Sequence, residues 1–457
     1  MSDISTDGQC GAGWCAIVAA LIVSVSGMAL TTTDINAAET EEEKKPVVFS
    51  PDDSPLFSGD TWDSVMAAGT WKASTGMRFR ADDCDEADNG DAGWSFIKAS
   101  WESGTVHGMQ IGLGGLFVTE LWSNDAYDDM FKDGKFGERG KWTESYLRYT
   151  LPGETTSVLV GRAKGSKFGK PASGDGDFYE GLGVSFDGIS NVSLKAHVTN
   201  AWLDNASESW DLDGIDKSWA EMDDVSGKVS HGRGSYGDFA YTLMADIDAV
   251  PDTLTLTPYL QTQSDVGTSY GISFDLSHPV SDSATLGLEG AYNYFHEDTP
   301  NKYYPDDDSF SQGLIRASAA VEDFELGAGY YGMSDDVLAF SSTKDSGLGA
   351  KLLIVDEMDP LEEGAGYGGT PGDNTYFLDA AYNYGPMSLN AMYGFVSKAR
   401  TANGQRDGDG RELDLTFGLD LTENLSLELF YANVVDDHSA DGDNSQDVYA
   451  GGVTYKF

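Results

Sequence analysis

The sequence predicts an all-β fold, a single transmembrane antiparallel β-barrel of eighteen strands with short turns at one end and long acidic loops at the other. Segments of about ten residues alternate between apolar and polar side chains, which is the pattern of membrane-spanning strands. The connections between these segments alternate as well, short and then long. After residue 38, no apolar run approaches the roughly 20 residues that a spanning helix needs. A chain of 457 residues can form one such barrel.

The N-terminus carries the one long apolar run, at residues 14–30, and the small residues "INAAET" follow it. This pattern predicts a signal peptide over residues 1–38, with cleavage near Ala37 or Ala38. No Lys or Arg precedes the run, so an N-terminal membrane anchor remains an alternative interpretation. Residues 39–69 are then a periplasmic segment, and residues 70–457 form the barrel.

In the proposed strands, charged residues recur on one face. In residues 70–80, Trp71 and Phe79 belong to the apolar face, whereas Arg78 and Arg80 belong to the other. Residues 411–420 repeat the pattern with Glu412 and Asp414 on the polar face. In a β-sandwich the polar face is the outer one, and the apolar face meets a second sheet. The repeated charges therefore favour a barrel with a water-filled lumen and an apolar outer surface.

The connections fix the direction of the strands. Short turns are predicted at 102–105, 152–155, 187–190, 249–252, 278–283, 321–323, 385–387 and 422–424. Long Asp- and Gly-rich loops are predicted at 81–92, 123–142, 163–177, 202–235, 296–310, 334–374, 397–409 and 433–445, with a short link at 263–267. A strand at 347–357 would make two successive strands run in the same direction. We therefore assign 334–374 to one loop, and expect it and 163–177 to fold inward.

The chain ends on "GGVTYKF", with an apolar residue at every second position. Val453, Tyr455 and Phe457 are predicted on the lipid face, and Thr454 and Lys456 on the lumen face. A terminal Phe with this alternation resembles the assembly signal that the barrel-assembly machinery reads. The alternative is a soluble domain that ends in a paired strand. We also expect aromatic belts near the strand ends, with Trp101, Trp122, Tyr292, Tyr331 and Tyr449 as candidates.

Residues 146–202 resemble the OprD-type outer-membrane porins, the carboxylate channels and their relatives. The shared features are a Leu-Pro turn, a "VGR" strand end, an "EG" strand start and a return strand of the form "IxNxxLxAxxV". The resemblance implies passive diffusion of small hydrophilic solutes across the bacterial outer membrane. It also implies a ladder of basic side chains that guides carboxylates through the lumen.

Charged residues on the polar faces are the candidate site. The basic ladder comprises Arg78, Arg80, Lys98, Arg148, Arg162, Lys164, Lys167, Lys170 and Lys195, and the acidic pore-lining residues are Glu289, Glu412, Asp414 and Glu428. Opposite charges on two walls would create a transverse field that selects charged or dipolar solutes. Ordinary charges paired across neighbouring strands are the alternative. The ladder predicts anion preference, whereas the net charge of -48 predicts cation preference.

The composition argues against several other functional classes of protein. The 76 acidic and 28 basic residues leave no basic footprint for nucleic acid. The three cysteines form neither a disulfide framework nor a metal motif, and the scattered histidines accompany no nucleophile motif, so an enzyme is not expected. A non-conducting structural or adhesive surface protein and a soluble secreted β-protein remain alternatives. Neither a monomer nor a homotrimer is favoured.

Acidic loops are the one feature that suggests an ion. They are 82–91, 125–133, 305–309, 406–410 and 436–447. Carboxylate oxygens suit Ca²⁺ or Mg²⁺, which would bridge the loops to lipopolysaccharide. None of the loops has the full calcium-loop pattern, so a solvated charged rim is the alternative. We predict no other cofactor. The predicted partners are membrane lipid and small polar solutes.

Overall fold

The computed structural model describes most of the predicted barrel. The described residues are 68–84, 90–123, 141–153, 155–164, 167, 178–203, 220–221, 240–263, 267–297, 309–333, 374–397, 409–438 and 442–457. The predicted signal peptide and nearly all of the predicted periplasmic segment lie outside them. Within this part of the chain, no helix is long and apolar enough to cross a membrane.

Strands make up almost all of the described chain, as the alternating pattern predicts. In order they are β1 (Thr70–Cys84), β2 (Gly90–Glu102), β3 (Met109–Ser123), β4 (Lys141–Thr150), β5 (Thr156–Lys164), β6 (Phe178–Ile189), β7 (Val192–Leu203), β8 (Ala220–Glu221), β9 (Ala240–Val250), β10 (Leu254–Gln263), β11 (Gly267–Ser281), β12 (Ala284–Glu297), β13 (Ser309–Val321), β14 (Phe324–Met333), β15 (Asn374–Tyr384), β16 (Met387–Ser397), β17 (Asp409–Asp420), β18 (Leu425–His438) and β19 (Gly442–Lys456).

Eighteen of these described strands form a closed antiparallel barrel, which confirms the predicted fold class. Each strand pairs with its neighbours in sequence, and β19 returns to pair with β1. The two-residue β8 pairs only with the end of β7, and β7 pairs directly with β9. The antiparallel pairing of β14 with β15 leaves no place in the wall for a strand at 347–357, as the parity argument requires. Loop 334–374 itself lies outside the described residues, apart from its last one.

All eight predicted short turns join strand pairs at one end of the barrel. Several of the observed connections contain a residue with positive φ, among them Asn191 at 61°, Asp252 at 59° and Gly385 at 55°. Two-residue hairpin turns need this conformation because it matches the twist of the flanking strands. Asn, Asp and Gly adopt it most readily, so local turn chemistry explains why these connections are tight.

At the opposite end, the strands run further than expected into two predicted loops, 81–92 and 433–445. Residues 433–445 were assigned to a loop, but β18 continues to His438 and β19 begins at Gly442. The hairpin extends in register, with Asp437 opposite Asp443. Charged residues suggested a loop because they cannot face lipid. Beyond the bilayer both faces of a hairpin meet water, so the same residues can remain in strands.

Large apolar side chains cover the outer face. Ile97 is 60% exposed and Leu378 is 62% exposed, and both alternate with inward-facing neighbours. Exposed Leu, Ile, Val and Phe side chains on most of the described strands are unfavourable in water and favourable in lipid. The outer face therefore matches a membrane-spanning barrel, and the polar faces line the lumen.

Aromatic side chains form belts at both ends of this apolar surface. Trp101 lies in the belt at the short-turn end, where its ring contacts that of Trp71 with centroids 6.1 Å apart. Tyr331 was predicted in a belt, but that prediction is wrong. It is 3% exposed and lies on the lumen side, opposite Leu314 and Thr375. Ring pairs occupy the two ends: Tyr382–Tyr384 and Tyr455–Phe457 near the turns, and Tyr270–Tyr294, Tyr330–Tyr376 and Tyr431–Tyr449 near the loops.

Candidate functional site

The candidate site is the lumen face of the barrel. Register determines which residues share it, because directly opposite residues of neighbouring strands point to the same side. Arg78 lies opposite Trp94 on β2, and Lys98 lies opposite Ser74 on β1, so these cations point inward. Arg80 follows Arg78 on the same face. The structure thus places these three predicted ladder residues on one stretch of the lumen wall.

Arg78 lies flat against the wall. Its guanidinium carbon is 5.5 Å from the centre of the Phe96 ring, and the side chain is only 7% exposed. It crosses Gly452, where an added Cβ would stand 2.3 Å from Nη1. Glu428 occupies the next position of the same cross-strand row, opposite Gly452. Arg78 is therefore on the lumen side but does not project into the open passage.

Lys195 is a lumen residue whose charge is balanced locally. Its Nζ lies 2.5 Å from Oδ2 of Asp246 on β9. The other oxygen of Asp246 accepts a hydrogen bond of 3.0 Å from the Thr257 hydroxyl. For Lys195, the interpretation as an ordinary cross-strand pair fits the geometry better than the interpretation as a free rung of a ladder.

Lys167 comes from the loop after β5 and reaches across to the lumen faces of β2 and β4. Its Nζ donates hydrogen bonds of 2.8 Å to Oε2 of Glu102 and 2.5 Å to the Tyr146 hydroxyl. It also lies 3.2 Å from Oε1 of Glu144. The Tyr146 hydroxyl donates to the same oxygen of Glu102, across the space left by Gly112. This network, hereafter the Lys167 network, brings the start of the predicted inward loop into the lumen.

The Lys167 network keeps its cation charged. Burial would lower the pKa of Lys167, but the hydrogen bonds to Glu102 and Tyr146 outweigh it and raise the pKa above the ordinary value of 10.5. Gln110 completes the coordination of Glu102 by donating to Oε1 over 3.0 Å. Every oxygen of Glu102 thus has a donor, which makes the contact an anchor for the loop.

Arg148 lies beside the same network. Its guanidinium carbon is 5.9 Å from the centre of the Tyr146 ring, and Nζ of Lys167 is 4.3 Å from the same ring centre. Among the described residues, no carboxylate lies within ion-pair distance of Arg148. Two cations therefore meet at one lumen-facing ring, and the charge of Glu102 acts on both of them.

Arg162 and Lys164 do not line the lumen, contrary to the prediction. Arg162 lies opposite Ser145 and Glu180, on the outer face of β5 that also carries the exposed Val160. Its Nη2 pairs with Glu180 over 2.7 Å, and its Nη1 donates to the Trp142 carbonyl. Lys164 shares this face because it is two residues further along the strand. Lys170 lies outside the described residues.

The four predicted acidic residues are all on the lumen side of β12, β17 and β18. Glu289 lies opposite Arg316, and Glu428 lies opposite Gly418. Glu412 and Asp414 are buried, at 0% and 2% exposure. They are two residues apart on one strand, so both point to the same face.

Sequence reasoning missed several lumen residues. Arg316 binds Glu289, Glu325 and Asp379 within the wall that we predicted to be acidic. Glu102, Glu144 and Asp246 lie in the wall that we predicted to be basic. The two walls therefore do not carry one sign each, because each cation recruits carboxylates from neighbouring strands. Alternation alone could have found Arg316, since it occupies the polar position of its strand.

No metal site is evident in the part of the chain that the structure describes. There, no group of three or more His, Cys, Asp or Glu side chains is arranged to hold a metal ion. The acidic loops that suggest Ca²⁺ or Mg²⁺ lie mostly outside the described residues, so that interpretation stays a prediction.

Comparison with known proteins identifies the family. The sequence profile described as Gram-negative porin matches residues 150–457, more than half of the chain. The chain belongs to the Gram-negative porin family. It is accordingly an outer-membrane channel for small solutes, and the lumen is the path of those solutes. A soluble secreted protein is excluded, and both family and fold point to a channel rather than an enzyme.

Solved porins share the fold. OpdG (OccK9) from Pseudomonas aeruginosa aligns with a TM-score of 0.65 at 15% identity, covering 86% of this porin and 100% of that chain. OpdO from the same organism aligns with a TM-score of 0.64 at 14% identity, covering 87% of this porin and 99% of that chain. OprD aligns with a TM-score of 0.57 at 12% identity, covering 85% of this porin and 95% of that chain. The predicted resemblance to OprD-type porins is thus confirmed for the fold. No curated protein matches the sequence.

Proposed function

We propose that this porin favours small hydrophilic solutes that carry an anionic group, such as a carboxylate. The observation that supports this proposal is the meeting of Arg148 and Lys167 at the Tyr146 ring. Lys167 is neutralised by Glu102 and Glu144, so it serves as an anchor rather than a binding group. Arg148 forms no ion pair of its own among the described residues, although the charge of Glu102 acts on it, and its guanidinium can meet a passing carboxylate.

The Lys167 network supports the proposal that Arg148 acts at a constriction of the pore. The predicted inward fold of 163–177 would narrow the passage beside Lys167 and force solutes past the wall residues there. In the narrowed passage the charge of Arg148 acts at short range and with less screening than on an open surface. The narrow part of the pore, rather than the net charge of the chain, then determines which solutes pass.

Planar-bilayer recording tests the proposal. We would measure the reversal potential under gradients of KCl and of potassium acetate, for the wild type, Arg148→Gln and Arg162→Gln. We expect Arg148→Gln to lower the permeability of chloride and acetate relative to potassium. Arg162→Gln makes the same change of charge on the outer face and should leave both ratios unchanged.

Two outcomes count against the proposal. Equal reversal potentials for wild type and Arg148→Gln would show that Arg148 does not act on anions. The absence of any conductance from folded protein would instead favour the alternative of a non-conducting structural or adhesive surface protein.

A further inference from the structure

Arg316 binds three carboxylates from three other strands of the lumen wall. Its Nε donates to Oδ2 of Asp379 over 2.9 Å, and its Nη2 donates to Oδ1 over 2.5 Å, so the pair is bidentate. Nη2 also contacts Glu325 at 2.8 Å, and Nη1 contacts Glu289 at 3.4 Å. One guanidinium thus joins β12, β13, β14 and β15 on the side of the passage.

The backbone makes room for this arrangement. Arg316 and Asp379 are separated by β14, and Gly327 lies between them. A Cβ at Gly327 would stand 2.3 Å from Oδ2 of Asp379 and 2.7 Å from Nε of Arg316. Any side chain at this position would force the two groups apart. The contact therefore depends on a specific glycine as well as on the two charged residues.

The charges in this cluster do not cancel. One guanidinium faces three carboxylates, and both oxygens of Asp379 are occupied by the bidentate pair. Glu325 keeps 38% of its side chain exposed and faces the water of the lumen. Asp275 lies opposite Glu289 on the next strand and adds a fourth carboxylate to the same row. Removal of Arg316 would take away the positive charge that now offsets part of the negative charge of these carboxylates.

We propose that Arg316 is a positioning residue that sets the charge selectivity of the porin. It holds three carboxylates against the wall and offsets one of their charges, so the lumen does not concentrate cations as strongly as its acidic residues would otherwise dictate. This goes beyond the proposed function, which concerns Arg148 and Lys167. The physical basis is that fixed charges in a water-filled constriction attract counter-ions and exclude ions of the same sign.

Charge-matched variants test this role by reversal potential in a KCl gradient. Arg316→Met removes the charge and keeps the volume, and should raise the ratio of potassium to chloride permeability by at least about twofold. The double variant Arg316→Met with Asp379→Asn restores the charge sum of the wild type and should return the ratio towards the wild-type value. Arg316→Lys keeps the charge and should retain most of the wild-type selectivity.

A second variant covers the case in which Arg316→Met does not fold. Glu325→Gln removes one exposed carboxylate and leaves the bidentate pair intact, so it should lower the ratio of potassium to chloride permeability. Glu423→Gln makes the same change of charge in the turn between β17 and β18, outside the lumen, and serves as the matched control. The melting temperature of every variant is measured alongside.

The outcomes separate a role in selectivity from a purely structural one. If Arg316→Met lowers the melting temperature but leaves the reversal potential unchanged, Arg316 only joins strands and the inference is overturned. It is also overturned if Glu325→Gln and Glu423→Gln behave alike. Conductance with unchanged selectivity contradicts this inference alone, whereas no conductance at all contradicts the proposed function as well.

Discussion

The backbone N–H of Phe457 donates a hydrogen bond of 2.9 Å to the carbonyl of Ala73. The last residue of the chain therefore lies in the seam where the final strand meets the first. Lys456 lies opposite Ser74, and Val453 lies opposite Met77 in the same seam. The alternation of the closing strand follows from this pairing, with Val453 and Tyr455 facing outward and Thr454 facing the lumen.

Deletion of Phe457 should impair barrel insertion while synthesis and export stay intact. The deletion removes one seam hydrogen bond and the edge-to-face contact of Phe457 with Tyr455, whose ring centroids are 4.9 Å apart. We would measure the heat-modifiable fraction on gels and the amount in the outer membrane. Phe457→Tyr keeps the aromatic ring and serves as the control. Normal surface levels of the deletion would contradict a role in assembly.

The fold could be predicted because its rules are local. Period-two alternation marks each strand, and tight turns such as that at Gly385 fix the side of each hairpin. Direction then follows strand by strand, which is why the loop at 334–374 could be separated from the wall without any three-dimensional information. The extension of β18 to His438 could not be predicted, because alternation loses its meaning where both faces meet water.

The site was harder to predict because it depends on contacts between strands that are distant in sequence. Glu102 and Lys167 meet only because Gly112 leaves space for the Tyr146 ring, and no local pattern encodes that space. Arg162 was misplaced although the outward Val160, two residues before it, already indicated the face. Alternation places Arg316 on the polar face of its strand, but no local pattern shows that it binds three carboxylates.

Lys167→Met should widen the passage. The substitution removes the hydrogen bonds to Glu102 and Tyr146 that hold the start of the loop in the lumen. We expect higher single-channel conductance and faster uptake of larger sugars into liposomes than for wild type. Lys72→Met removes an exposed cation of β1 and is the matched control. Unchanged conductance in Lys167→Met would show that the network does not restrict the passage.

Lys167 should contribute no pH dependence to the conductance around neutrality and should contribute a change only in alkali. The pKa of Lys167 is raised in the folded protein, so the stabilisation from its charge is complete below the ordinary value of 10.5 and is lost as pH rises through the higher folded value. The contribution of Lys167 to single-channel conductance, taken as wild type minus Lys167→Met, should therefore stay constant between about pH 6 and pH 9 and increase at higher pH. Lys167→Met should not show the alkaline increase. An increase that persists in this variant would assign the effect to another group.

Gly161→Ala should destabilise the barrel near the Lys167 network. Gly161 adopts φ +113°, and an added Cβ would stand 2.2 Å from the Ser145 carbonyl oxygen. A backbone clash in the left-handed region typically costs about 1–3 kcal/mol, because neither strand can move without breaking its ladder. The midpoint of guanidinium unfolding in detergent should fall accordingly. Gly313→Ala is the matched control, since its Cβ would meet no atom closer than 3.7 Å. Equal midpoints for the two variants would mean that β4 and β5 adjust to the added methyl group and that the glycine is not required there.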